Sequence, residues 1–188
     1  MPDSQNPTAE IPILETARLK LRGHGREDFA HSAAMWADPK VTQYIGGKPL
    51  TEEESWTKFL RYAGHWRLLG FGYWVVEEKA TANFVGEIGF ADYKRDLQPS
   101  LHGVPEIGWV LASSAHGHGF ATEAVRAAVA WGDVHLQALR TACIIAPGNL
   151  ASIRVAEKCG YRGPQAATYK EKPTLMYFRE CNPKPTGF

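Results

Sequence analysis

Residues Glu106–Gly132, EIGWVLASSAHGHGFATEAVRAAVAWG, decide how this chain folds. They run from an apolar, strand-like segment through a histidine–glycine stretch into an alanine-rich pattern with helical spacing. Glycines just before a helix let the backbone approach a ligand closely, and the first turn of that helix carries amide N–H groups with no intrahelical partner. A phosphate satisfies such amides.

Three kinds of phosphate site begin this way. A P-loop places a lysine followed by serine or threonine at the helix start, whereas these glycines lead into Phe120, Ala121 and Thr122. A dinucleotide fingerprint has glycine or alanine where Thr122 stands and an acidic residue closing the next strand, but TACIIA contains no acid. A pyrophosphate held by successive amides without a metal needs only a strand, glycines and a helix start, and all three are present.

C-terminal to this stretch, Val125, Val129, Gly132 and Leu136 define one face of a long helix. The strand RTACIIA follows and ends at Pro147, Gly148 and Asn149. Asn149 suits the N-cap of the helix NLASIRVAEKCG, and Gly160 the left-handed position that closes it. Strand-like stretches at 167–169 and 175–179 complete the C-terminal half.

N-terminal to it lie three strand-like runs, FGYWVVEEK, NFVGEIGFADY and VPEIGWVL, which predict an antiparallel meander. Upstream, Thr51 opens a helix with the capping-box pattern TEEE, carrying Trp56, Phe59, Leu60 and Ala63 at helical spacing. A further helix spans Asp28–Asp38, closed by Pro39, and ARLKLRGHG is the opening strand. The pattern predicts one α+β domain on a mixed sheet over residues 13–180, between a loose N-terminal tail (1–12) and a C-terminal tail (181–188).

The 188 residues, 44% hydrophobic, suffice for one sizeable core. A net charge of +1 without a basic block argues against nucleic acid or an anionic membrane as primary partners. No apolar run approaches the roughly 20 residues of a membrane span. Cys143, Cys159 and Cys181 have neither metal-site spacing nor a disulfide framework, which predicts no metal and a reduced, cytoplasmic compartment. Monomer and homodimer both remain open.

HGHGFA, from His116 to Ala121, resembles the pyrophosphate-loop pattern [R/Q]-x-x-G-x-[G/A] of the GNAT superfamily of acetyl-CoA-dependent N-acetyltransferases, with His116 in the arginine or glutamine position. The following ATEA, the second signature APGNLASIRVAEKCGY and the opening LETARLKLR are similar to the RimJ/RimL-like branch, which includes acetylases of ribosomal-protein N-termini. The similarity runs from about Ile13 to Phe178.

The resemblance implies a mixed, mostly antiparallel central sheet, flanked by helices, whose middle strands splay around the pantetheine arm of acetyl-CoA. Main-chain groups of Trp109, Val110 and Leu111 then bond the pantetheine amides. Amides of His116, Gly117, His118, Gly119, Phe120, Ala121 and Thr122 hold the pyrophosphate, and Asn149 and Ser152 contact the cofactor from the second signature. Asn149 also reads as a helix cap only, and Ser152 as a first-turn residue.

Acetyl transfer needs a neutral amine, so a base must take its proton directly or through water. Glu106 stands on the strand beside the cofactor, where related enzymes often carry a carboxylate; its alternative is a structural strand glutamate. Strand period puts it on a face with Gly108 and Val110, opposite Ile107, Trp109 and Leu111. The family often protonates the leaving thiolate from a tyrosine or serine at the position of Ala156, so the general acid is unassigned.

The acceptor side falls to the early helices and QYIGGKPLTEEE, with Tyr44 as the substrate-contacting candidate; Trp36 and Trp66 read more readily as core. His24, His102, His116 and His118 receive no proton-transfer role. The expected activity is direct attack of a primary amine, a protein N-terminal α-amine or a small molecule, on acetyl-CoA. The alternative is an acyl-CoA-sensing module with little turnover.

Overall fold

In the computed structural model, residues 10–181 are described. Most of both expected tails therefore lies outside the described residues. Of the part that is described, Ile11 packs on the core and the Pro12 carbonyl accepts a 2.8 Å hydrogen bond from Trp74 Nε1.

The chain begins with β1 (Leu14–Glu15) and β2 (Leu19–Arg22), then α1 (Phe29–Ala37), α2 (Pro39–Thr42) and α3 (Glu52–Leu69). The meander follows as β3 (Tyr73–Glu78), β4 (Phe84–Ala91) and β6 (Glu106–Leu111), with a short β5 (Leu97–Gln98) before its last strand. Then come α4 (Phe120–His135), β7 (Arg140–Ile145), α5 (Leu150–Lys158), β8 (Arg162–Tyr169) and β9 (Lys172–Glu180). One sheet takes the order β1-β2-β3-β4-β6-β7-β9-β8-β5. Every neighbouring pair is antiparallel except β6 and β7, so the architecture is the expected mixed, mostly antiparallel α+β sheet.

Alternation in β4 and β6 explains why both faces are covered. Ile88, Phe90, Ile107 and Leu111 point into the main core, where α4 contributes Ala124, Val125, Ala128 and Val129 and α5 contributes Ala156. The face anticipated for α4, Val125, Val129, Gly132 and Leu136, is buried throughout. Val110 turns the other way, against Met35, Trp36 and Val41 of the early helices.

Several local expectations need correction. Pro39 does close α1, but it also opens α2 at the first helical position, with Asp38 capping the Lys40 amide at 2.8 Å. The two-residue β5 pairs with β8 and is too short to leave a periodic signal. The capping box at Thr51 and Glu54 forms as read, but the buried face of α3 is Ser55, Phe59 and Tyr62; Trp56 is 38% exposed and Leu60 52%.

The rotation of α3 has a physical cause in β4. Glu87, fully buried, accepts from Ser32 Oγ at 2.6 Å, Trp36 Nε1 at 3.0 Å and Tyr62 OH at 2.7 Å. A buried carboxylate must find donors, so α3 turns its tyrosine inward and leaves Leu60 in water. Burial pushes the Glu87 pKa up, but contact with His24 and hydrogen bonds from Ser32 and Tyr62 outweigh it and hold the carboxyl below its ordinary value.

Candidate active site

Among the described residues, the only parallel junction in the sheet is where β6 and β7 separate. Their ladder holds a single residue pair, Glu106 opposite Ala142, supported by the Ala142 amide donating to the Pro105 carbonyl at 3.0 Å. Beyond that pair the strands diverge, and Trp109 and Val110 on one side face a shared cavity with Ile144 and Ile145 on the other. The cavity holds about 610 Å³ and runs from this cleft to α3 and the β8–β9 hairpin.

Leu111, expected beside Trp109 and Val110, ends β6 but does not line the cavity. Its side chain is in the main core, and its carbonyl lies 3.0 Å from His116 Nε2. That contact ties the strand end to the loop that follows.

The loop has the form expected of an amide cradle. His116, Gly117, His118 and Gly119 are exposed, and Gly117 and Gly119 have φ of 83° and 79°, a left-handed conformation that favours glycine. Gly119 occupies the N-cap of α4 with no side chain capping the first turn, so the amides there are available to an anion. Phe120 begins α4 with its ring buried in the core, so it offers its amide only; Ala121 and Thr122 follow half-buried in the first turn.

Arg18 fixes this loop from β1–β2. It donates to the His118 carbonyl at 3.0 Å, pairs with Glu123 at 2.6 Å and lies 4.7 Å over the Phe120 ring. Thr16 Oγ1 donates to the same carboxylate at 2.6 Å. The interaction of ATEA with TARL, two segments more than a hundred residues apart, thus accounts for Glu123 in the first turn.

Asn149 caps α5, its Oδ1 accepting from the Ser152 amide at 3.1 Å, and both residues line the cavity. Tyr44, 43% exposed, lines it too, lying against Gly148 in the second signature. Trp36 borders the cavity while buried in the core, whereas Trp66 packs with Trp74 and Trp131 away from it.

Glu106 faces the same cavity and is 7% exposed. Arg95 holds its carboxylate in a fork, Nε to Oε2 at 2.6 Å and NH2 to Oε1 at 2.8 Å. The guanidinium is itself sandwiched, 4.6 Å from the Tyr93 ring and 4.9 Å from that of Tyr169, and donates to Tyr169 OH at 3.0 Å. Next to Glu106, Gly108 leaves room for Tyr73: a β-carbon there would stand 2.1 Å from the Tyr73 hydroxyl. Burial holds Tyr73 far above the ordinary tyrosine pKa, so its phenol stays a proton carrier.

Sequence reading missed Arg95, Tyr73, Tyr93, Tyr169 and Lys58, all on this cavity. None stands in a motif; Tyr93, Arg95 and Tyr169 meet because the β8–β9 hairpin folds back toward the segment between β4 and β6, while Tyr73 comes from β3 and Lys58 from α3. Among the described residues, no group of acidic, histidine and cysteine side chains forms a metal cage, and no helix is long and apolar enough to cross a membrane. Cys143 is 1% exposed, and burial drives its thiol well above the ordinary range, which leaves it a poor nucleophile.

Comparison with known proteins agrees with this geometry. The model of the "Acetyltransferase (GNAT) domain" family matches residues 18–162. The protein YkkB of Bacillus subtilis (strain 168) is 32% identical over 169 residues, covering 89% of this chain and 95% of that protein. A structure from Bordetella pertussis assigned to the GNAT family is 29% identical with a TM-score of 0.77, covering 89% of this chain and 99% of its own. The RimL ribosomal-protein α-N-acetyltransferase, in complex with coenzyme A, shares the fold at a TM-score of 0.72 and 16% identity, over 92% of this chain and all of its own. With a cleft between β6 and β7, an amide cradle at α4 and a family match across both, this chain belongs to the GNAT family of acetyl-CoA-dependent acetyltransferases.

Proposed function

We propose that this chain acetylates a primary amine, a protein N-terminal α-amine or a small-molecule amine, by direct attack on acetyl-CoA, as the RimJ/RimL-like branch does. The observation that carries the proposal is that one cavity contains both the open cleft between β6 and β7 and the carboxylate of Glu106.

The residues fit the cosubstrate. Amides of His116–Thr122 hold the pyrophosphate, main-chain groups of Trp109 and Val110 hold the pantetheine arm, and Asn149 and Ser152 add contacts beside it. Acetyl-CoA supplies an activated acyl carbon. Glu106, directly or through a water, takes a proton as the amine nitrogen forms its bond to that carbon and the carbon–sulfur bond breaks. Its fork with Arg95 leaves a lone pair on each oxygen for this task. The sulfur leaves as a thiolate whose conjugate thiol has an ordinary pKa near that of cysteine, about 8.5, so it needs little acid assistance. Tyr44 lines the acceptor side. Direct attack is supported by the buried, protonated state of Cys143.

The test is thiol release from acetyl-CoA across a panel of amines, followed by mass spectrometry of two competing peptides, one with a free N-terminus and one blocked but bearing lysine. An α-amine has a pKa of about 8 against about 10.4 for lysine, so its neutral fraction at pH 7 is over a hundredfold larger. Acetylation of the free N-terminus is expected; preferential lysine acetylation overturns the acceptor class, and absence of thiol release with every amine favours an acyl-CoA sensor.

A further inference from the structure

The cavity around Glu106 has a charge imbalance. Its carboxylates are Glu54 and Glu106, and both already have cations: Lys48 lies 3.0 Å from Glu54, and Arg95 holds Glu106. Three further cations line the same space, Lys58, Lys170 and Lys172, with no carboxylate left for them among the described residues that line it.

Lys58 is the inner one. It is half-buried on α3, with Nζ 4.1 Å over the Trp36 ring and 5.9 Å from that of Tyr62, and among the described residues it forms neither a hydrogen bond nor an ion pair. The nearby Glu87 carboxylate is already taken up by Ser32, Trp36 and Tyr62. Lys170 and Lys172 stand at the mouth. The two-residue turn between β8 and β9, Lys170 and Glu171, has φ of 49° and 63° without a glycine, a conformation that carries strain for side-chain-bearing residues. Tyr169, next to Lys170 and opposite Lys172, bonds Arg95, so these lysines belong to the Glu106 end of the cavity and not to the loop at His116–Gly119.

Building on the acetyltransferase reading, we infer that the acceptor amine carries a carboxylate, which Lys58 and the β8–β9 hairpin lysines receive while the amine faces Glu106. The same cations disfavour polycationic amines. A cation beside the amine also favours its neutral form, which is the one that reacts.

The experiment compares matched acceptors whose amines have the same basicity. In the peptide arm Ala-Glu-NH2 is set against Ala-Gln-NH2; in the small-molecule arm 4-aminobutyrate is set against butylamine, with spermidine as the polycation. Wild-type kcat/KM is expected to favour the carboxylate-bearing member at least tenfold in one arm or both, the favoured arm identifying its source, with spermidine the poorest acceptor. Lys58→Gln is expected to abolish most of that preference through the acceptor KM, leaving the KM for acetyl-CoA unchanged; Lys170→Gln with Lys172→Gln is expected to reduce it partially. Equal use of matched acceptors, preference for spermidine, or an effect of Lys58→Gln on the KM for acetyl-CoA alone overturns the inference. Calorimetric binding of the same pairs, with coenzyme A present, is the readout independent of turnover. If no amine is acetylated yet the carboxylate-bearing members bind more tightly, the acetyltransferase reading fails while the charge inference stands; equal binding overturns the latter too.

Discussion

Arg95 grips both carboxylate oxygens of Glu106, at 2.6 and 2.8 Å, while the rings of Tyr93 and Tyr169 close over its guanidinium. The fork fixes the carboxylate in space and keeps it from turning away from the cavity. Glu106→Gln retains shape and one accepting oxygen but removes the base. It is expected to leave acetyl-CoA binding intact and lower the transfer rate by ~10²–10⁴, most severely at low pH, where free amine is scarcest. Steady-state rates from about pH 6 to 9 check this; an unchanged profile assigns Glu106 a purely structural role.

Gly119→Val tests the amide cradle. At φ of 79° a β-branched residue costs about 1–2 kcal/mol of local strain and puts side-chain bulk beside Arg18, 3.6 Å from its guanidinium, at the proposed phosphate site. Acetyl-CoA at ~100 times its dissociation constant should stabilise the wild type by about 2.7 kcal/mol. Thermal-shift titration should show that stabilisation largely lost in the variant. A wild type with no shift would remove the binding site from the loop.

Glu87 sets an acid limit on the fold. Its folded pKa lies below the ordinary value of 4.5, because His24, Ser32 and Tyr62 outweigh its burial. A depressed carboxylate contributes stability above its unfolded pKa and loses it as pH falls through the folded value. Glu123 and Asp28, likewise depressed against the cost of burial, add in the same direction. The melting temperature is therefore expected to vary little from pH 7 to about 5 and to fall below about 4.5. Glu87→Gln, whose amide keeps one acceptor oxygen but brings its own donors among Ser32, Trp36 and Tyr62, should lower the plateau and flatten the acid limb. An acid limb as steep as that of the wild type would assign the loss to other carboxylates.

These contacts separate what the sequence makes legible from what it hides. Gly117, Gly119, Thr51 and Asn149 act through their own backbone or neighbours within three residues, so their roles can be read locally. The face of α4 is legible too, because only apolar residues compete for it. On α3 they do not: Tyr62 wins over Leu60 because Glu87, on a strand 25 residues away, needs a donor. Arg95 and Lys58 carry no pattern at all. Arg95 takes its meaning from Glu106 and from Tyr169 on the returning β8–β9 hairpin, and Lys58 from Trp36 on α1, contacts across the fold that neither spacing nor propensity records.

The acceptor preference is expected to fade at the pH where Lys58 loses its charge. Burial is the main reason the Lys58 pKa falls from its ordinary 10.5 to about 8; nearby Arg61 and Arg95 push the same way, and Glu87 and Glu106 oppose it. The two arginines stay charged throughout, so they cannot supply a transition in this range. Lys58 is cationic at pH 7 and loses its charge as pH rises through about 8. The rate for any amine also climbs with pH as the amine deprotonates, which would mask this, but that factor cancels in the ratio of kcat/KM for Ala-Glu-NH2 to that for Ala-Gln-NH2. The ratio is expected to be high at neutral pH and to decline through about pH 8, while in Lys58→Gln it is low and flat. A wild-type ratio that is high yet unchanged across that range would move the recognition from Lys58 to the exposed lysines of the β8–β9 hairpin.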